Sequence, residues 1–258
     1  YLFVGCAPYR GFFDQQDALE FANLLREDGF DTYVAGVRAY STLGWFNDPI
    51  LSSMLKSDHF SPASLIFHES AHGRIWIKGD VAFNESFASF VAEQGLSQWL
   101  DQFGSQGSEA QPLAPVSGKT DWAHLKDFLI ILRKELGSIY TSVKFTSDEV
   151  GALKSQKISE WLSCYEKNKN QLGQGKYDGL VYESLNNAFL MSLATYSDWV
   201  PSFRKIFEDS KGNWQRFFEE VEALGNMAKA ERQNVLRSLA QHKVTGGSDY
   251  KSSTEIQC

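Results

Sequence analysis

The sequence predicts an α+β protein that is mainly helical, with a small N-terminal sheet and a C-terminal helical region. Apolar residues recur at helical spacing through most of the 258 residues. Three short segments near the N-terminus, residues 1–6, 30–36 and 74–77, are apolar or alternating instead and indicate strands. The length is sufficient to bury a substantial core, in one large domain or in two small lobes.

The first predicted helix spans residues 14–28 and ends at Gly29. The predicted strand at 30–36 follows it, and residues 37–45 continue from that strand. This continuation is either an edge strand or an ordinary core strand followed by a loop, because a short apolar run does not separate the two.

The second predicted helix contains an HExxH motif, and it is expected to begin at Pro62 after Ser61 as N-cap. His68 and His72 are four residues apart, so both imidazoles point from the same helical face. Two imidazoles and a carboxylate form an open zinc site. Glu69 lies about 100° around the helix from His68 and would flank the metal as a general base.

The next predicted helix, residues 84–103, offers the third zinc ligand. Glu85 would lie in its first turn, with Asn84 as the cap. Glu93 is the alternative ligand, because it is eight residues further on and lies near the same helical face. A chance HExxH match would instead leave the histidines hydrogen-bonded in the core or exposed to solvent.

The remaining chain divides by composition into a loop, a helical region and a tail. Glycine, serine, glutamine and proline are frequent in the loop, and the helix predicted from Thr146 has a capping box with Glu149. The predicted N-terminal lobe, residues 1–103, contains the small sheet, the active-site helix and the third-ligand helix. An exposed loop at 104–120, a C-terminal helical region at 121–245 and a disordered tail at 246–258 are predicted to follow.

A single helix predicted over residues 180–195 continues into Tyr196 and contains polar residues on an apolar face. Tyr182 and Tyr196 lie on one helical stripe of this pattern, beside the pair Asn186 and Asn187. Such a helix would line a cavity, and a tyrosine hydroxyl there would steady an oxyanion. The alternative is that both tyrosines are core aromatics with hydrogen-bonded hydroxyls.

Composition excludes some partners and leaves the redox state open. The net charge of −7 and the lack of a basic run argue against a nucleic-acid surface. The chain has no transmembrane stretch, and because it begins at Tyr1 we expect an upstream segment, where a signal or anchor would lie. Cys6, Cys164 and Cys258 are far apart, so the sequence allows one disulfide without assigning it.

The segment Asn84-Glu85-Ser86-Phe87-Ala88-Ser89-Phe90 resembles the NEGFASY segment of aminopeptidase N-like enzymes. That resemblance implies a gluzincin-like zinc peptidase core, in which this glutamate is the third zinc ligand. The connection of twelve residues, 73–84, is shorter than in those enzymes. The resemblance is therefore to the site and not to their whole fold.

Longer segments, at residues 5–11, 39–46 and 186–201, resemble a bacterial family described as predicted or putative aminopeptidases. This resemblance implies zinc peptidase activity and a longer N-terminus that carries an export signal, a lipoprotein site or an anchor. It places the protein in the bacterial cell envelope, either periplasmic or membrane-anchored. The label aminopeptidase comes from the resemblance.

The combined prediction is a zinc peptidase in which His68, His72 and Glu85 bind Zn²⁺. Glu69 would take a proton from the attacking water and pass it to the leaving amine, and Tyr196 or Tyr182 would steady the oxyanion. The peptide would contact Tyr40, Ser41, Thr42 and Asn187, the first three because an edge strand beside the HExxH helix pairs with substrate backbone.

Two other functions remain open from the sequence. An endopeptidase would use the same zinc chemistry without holding a free amine. A non-catalytic binding protein would keep zinc as a structural or sensing element, but it would not need Glu69.

Overall fold

The structure, a computed structural model, describes residues 9–36, 62–103 and 117–241. Helices dominate these ranges and are joined by turns and irregular connections, as the sequence predicts. In chain order they are α1 (Gln15–Glu27), α2 (Pro62–Arg74), α3 (Val81–Phe103), α4 (Ser117–Tyr140), α5 (Ser147–Asn168), α6 (Asp178–Ser184), α7 (Asn187–Ser197), α8 (Val200–Asp209), α9 (Trp214–Gly225) and α10 (Lys229–Gln241).

The predicted small N-terminal sheet is wrong, because the described residues contain no strand. Residues 30–36 lack regular structure and are held by side chains. Lys154 of α5 pairs with Asp31 at 2.6 Å, and the Asn186 amide donates to the Thr32 carbonyl at 2.9 Å. These contacts take the place of a strand ladder. The predicted strand at residues 1–6 lies outside the described part of the chain.

Two compact units divide the chain, and neither is continuous in sequence. The first contains α2, α3, α8, α9 and α10, and the second contains α4, α5 and α6. The shorter helices α1 and α7 each contribute residues to both units. The predicted bounds of the N-terminal lobe, loop, helical region and tail stay predictions.

The first unit is built around aromatic side chains of α3. Phe83, Phe87 and Phe90 are fully buried, and they pack against Phe203 of α8 and Phe217 of α9. The ring centroids of three of these pairs are 5.1 to 5.7 Å apart. Replacing one such ring by alanine typically costs about 3–5 kcal/mol, so this cluster fixes where α3 lies in the unit.

The second unit has its own core, centred on Trp161 of α5. Its ring stacks between Phe128 and Tyr165, with centroids 4.6 and 5.7 Å away, and its Nε1 donates to the Phe128 carbonyl. The capping box predicted for α5 is confirmed, since Thr146 and Glu149 exchange both hydrogen bonds. Cys164 of the same helix is buried and disulfide-bonded.

The single helix predicted over residues 180–195 is instead two helices, α6 and α7. Leu185 ends α6 with extended backbone angles. Asn186 then accepts a hydrogen bond from the backbone N–H of Phe189 at 3.0 Å, which satisfies a donor in the first turn of α7. Tyr182 and Tyr196 therefore lie on different helices and not on one stripe.

Candidate metal centre

The histidine helix forms where the motif predicts it. Pro62 is the first residue of α2, where its missing N–H costs no hydrogen bond. His68 and His72 lie on the last two turns of α2, and their rings meet edge to face with centroids 4.8 Å apart. The four-residue spacing thus brings both imidazoles to one place.

The helix carrying Glu85 begins three residues earlier than predicted, at Val81. Asn84 therefore does not cap it. Its buried side chain instead accepts from the Ile77 N–H at 2.8 Å and donates to the Ile77 carbonyl at 2.9 Å. This two-bond contact fixes the connection between α2 and α3, so that Glu85 in the next position faces the histidines.

Three potential ligand atoms meet at this point. The Nε2 atoms of His68 and His72 are 3.2 Å apart. Oε2 of Glu85 is 3.3 Å from the first nitrogen and 3.6 Å from the second. His72 and Glu85 are buried, and His68 is partly exposed at 18 % of its side chain. Solvent therefore reaches the group from the His68 side.

The arrangement fits a metal ion. Ligand atoms about 2.0–2.1 Å from a tetrahedral ion lie roughly 3.3–3.4 Å from one another, which matches the observed triangle. The donor set of two imidazole nitrogens and one carboxylate oxygen is that of open catalytic zinc sites. His68, His72 and Glu85 thus form a group that can hold a metal ion.

Glu85 is ionised, as a ligand must be. Burial alone would raise the pKa of its carboxyl group, but hydrogen bonds and positive charge from His68 and His72 outweigh burial and lower that pKa to about 2. The carboxylate is therefore charged throughout the neutral range.

Tyr196 lies beside the histidines, with its ring centroid 6.2 Å from that of His68. Desolvation raises the pKa of its hydroxyl, and the neighbouring Glu85, Tyr9 and Glu69 raise it further. The hydroxyl consequently stays protonated at neutral pH and can donate a hydrogen bond. Glu69, the residue after His68 on α2, acts on this hydroxyl through its charge.

One polar contact expected of a metal-bound histidine is missing within the described part of the chain. The other ring nitrogen of such a histidine usually donates to a carboxylate or carbonyl. Here Nδ1 of His72 is buried without a partner among these residues, as is Nε1 of the neighbouring Trp76. The two rings pack edge to face at 5.3 Å, so Trp76 orients His72 by packing.

A family model described as "Putative aminopeptidase" matches residues 1–236. The chain belongs to this family. No curated protein and no solved structure matches the chain. Within the part that the structure describes, no helix of this aminopeptidase-family protein is long and apolar enough to cross a membrane. The predicted cell-envelope location stays a prediction.

The other site residues predicted from sequence lie in different surroundings in this family member. Glu93, the alternative ligand, is exposed and pairs with Arg204 at 3.3 Å. The hydroxyl of Tyr182 donates to Glu166 in the second unit. The side chain of Asn187, also in that unit, accepts from Tyr140 at 2.9 Å. Tyr40, Ser41 and Thr42 lie outside the described residues.

Sequence reasoning missed the residues that hold the α2–α3 connection in place. Asp80 and Arg232 form a buried ion pair at 2.7 Å, and Arg232 also donates to the carbonyls of Gly225 and Met227. Asp80 precedes α3 by one residue, but Arg232 is on α10, so no local spacing connects them. The polar run Asn84-Glu85-Ser86 at the start of an apolar helix is the one signal that pointed here.

Proposed function

We propose that the protein is a zinc-dependent aminopeptidase. The observation that carries the proposal is the triangle of His68 Nε2, His72 Nε2 and Glu85 Oε2, whose sides of 3.2 to 3.6 Å fit a tetrahedral ion. Zinc is the ion proposed because imidazole and carboxylate ligands suit it, and because both imidazoles come from an HExxH helix. Membership in a family described as "Putative aminopeptidase" supports the proposed reaction, hydrolysis of a peptide from its amino terminus.

The site has the groups that peptide hydrolysis needs. A zinc ion held here would supply Lewis-acid polarisation of the scissile carbonyl and acidify a water molecule. Glu69 would accept a proton from the attacking water as its oxygen bonds to the carbonyl carbon. As the carbon–nitrogen bond breaks, Glu69 would return that proton to the leaving amine.

The hydroxyl of Tyr196 would donate a hydrogen bond to the carbonyl oxygen, on which negative charge develops during the reaction. Its hydroxyl remains protonated because its pKa is raised, and its ring lies beside that of His68. A neutral donor placed at that oxygen contributes more to the transition state than to the ground state, since charge develops only during the reaction.

The test is a digest of a synthetic peptide library read by mass spectrometry, with the protein zinc-loaded and after removal of the metal by a chelator. We expect cleavage that is lost on chelation and restored by zinc. Free peptides should lose their first residue, and matched N-acetylated peptides should be resistant. Cleavage of both would indicate an endopeptidase, and bound zinc without cleavage would indicate the non-catalytic protein.

A further inference from the structure

Three consecutive polar side chains, Asn84, Glu85 and Ser86, are buried in the first turns of α3. Each has different partners. Asn84 bonds to the backbone of Ile77, and Glu85 faces the histidines, as described above. Ser86 is not one of the proposed metal ligands, and its hydroxyl bonds to a different part of the chain.

Ser86 bonds to the backbone on both sides of Tyr196. Its side chain is fully buried, and its hydroxyl donates to the carbonyl of Thr195 at 3.3 Å. The same oxygen accepts from the backbone N–H of Trp199, also at 3.3 Å. Thr195 lies in the last turn of α7, and Trp199 is the N-cap residue of α8. The hydroxyl therefore bonds to the backbone on both sides of the turn between α7 and α8.

We propose that Ser86 is a positioning residue that fixes the position of Tyr196 relative to Glu85. Ser86 and Glu85 share a turn of α3, and Thr195 and Trp199 bracket Tyr196, so the two hydrogen bonds fix one turn against the other. This inference rests on the proposed function, since it assigns Ser86 an effect on catalysis through Tyr196. It concerns a residue that is not among the three proposed metal ligands.

The first test measures the position of the turn without any turnover. In Ser86→Ala, hydrogen–deuterium exchange of the peptide containing Trp199 should become faster, because its N–H loses its acceptor. Ser202→Ala is the matched control. Ser202 is equally buried, but its hydroxyl donates to the Leu236 carbonyl of α10 at 2.7 Å and not to the backbone of the turn between α7 and α8. The control should leave exchange at Trp199 unchanged.

The second test measures kinetics and zinc affinity. Ser86→Ala should lower kcat/KM by about tenfold to a hundredfold, the range expected when a catalytic group is displaced by an ångström or less. Zinc affinity should be unchanged, because the three ligand atoms remain. Ser202→Ala should retain wild-type kcat/KM, although both variants lose a buried hydroxyl.

A double variant shows whether Ser86 acts through Tyr196. In a Tyr196→Phe background, Ser86→Ala should cause little further loss, since the group it positions is already gone. A full additional loss, or unchanged exchange at Trp199, would overturn the proposal. If Ser86→Ala does not fold, Ser86→Cys takes its place, because cysteine is similar in size and its thiol is a weaker donor. Ser86→Cys should have a lower kcat/KM than the wild type. Wild-type kcat/KM in Ser86→Cys would then overturn it.

The two tests separate this inference from the proposed function. A wild-type protein that cleaves no peptide would contradict the proposed function, and the exchange experiment would still report whether Ser86 fixes the turn. Unchanged exchange and kcat/KM in Ser86→Ala of an active wild-type enzyme would contradict only the role of Ser86.

Discussion

At the scale of single residues, Glu85 and Glu93 differ in their surroundings although both lie on α3. Glu85 is buried against the histidines, and Glu93 is exposed beside Arg204. We predict that Glu85→Gln weakens zinc binding by more than about a hundredfold, beyond the usual effect of losing an outer contact. Glu93→Gln should bind zinc like the wild type. Competition with a chromophoric chelator measures both, and a loss confined to Glu93→Gln would reverse the assignment.

Tyr196 and Tyr182, the two tyrosines proposed from sequence, also differ in their surroundings. Tyr196→Phe should lower kcat by about a hundredfold to a thousandfold with zinc retained, because a donor to the carbonyl oxygen is lost. Tyr182→Phe should not affect kcat, since that hydroxyl donates to Glu166. Steady-state kinetics on one peptide measures kcat for both variants. An equal loss of kcat in both would mean that Tyr196 is not the donor to the carbonyl oxygen.

The candidate site could be predicted from sequence as far as local spacing reaches. The four-residue interval of the motif brings His68 and His72 together, and Glu85 follows His72 by only thirteen residues, near the start of the next helix. The hydrogen bonds of Ser86 were not predictable, because its acceptor Thr195 is 109 positions away. Arg232 was missed for the same reason. The burial of one charged side chain and its pairing with a distant residue leave no pattern in a single sequence.

At the scale of elements, the connection between α2 and α3 decides whether the three ligand atoms meet. Its anchor is Arg232, which pairs with Asp80 and donates to three carbonyls at the end of α9 and just beyond it. Removing one partner of a buried pair typically costs about 3–5 kcal/mol. Without Arg232, Asp80 would keep a longer contact of 3.9 Å to the exposed amine of Lys229.

We therefore predict that Arg232→Gln lowers the free energy of unfolding of the first unit by about 3–5 kcal/mol. The control is Arg204→Gln, which removes an exposed pair with Glu93 and should cost no more than about 1 kcal/mol. Urea denaturation followed by tryptophan fluorescence measures both. Similar midpoints for the two variants would show that the buried pair does not hold the connection.

Most helices were predictable, and the irregular segments and helix breaks were not. Long helices repeat their apolar positions over several turns, so α1, α2 and α5 follow the sequence pattern to within one or two residues. Residues 30–36 have the composition of a strand but lie where α5 and the start of α7 supply side-chain partners. The break between α6 and α7 was missed because the apolar spacing continues across Asn186.

At the scale of the whole molecule, the metal group belongs entirely to the first unit. Zinc bound at this group would stabilise only the folded form that contains it, by about 2.7 kcal/mol at a hundredfold excess over Kd. We predict that zinc slows hydrogen–deuterium exchange in α2 and α3 of the wild type. Glu85→Gln should show little of this protection at the same zinc concentration, and equal protection in both proteins would place the zinc elsewhere.

The most direct measurement of the central claim is the zinc content and peptidase rate of Glu69→Gln. The substitution keeps the size of the side chain but removes the base, so zinc should remain stoichiometric while kcat/KM falls at least about a hundredfold. Ser202→Ala serves as the folding control, with zinc and rate both retained. Loss of zinc from Glu69→Gln would make Glu69 a ligand, and a wild-type rate would show that the HExxH motif does not carry the reaction.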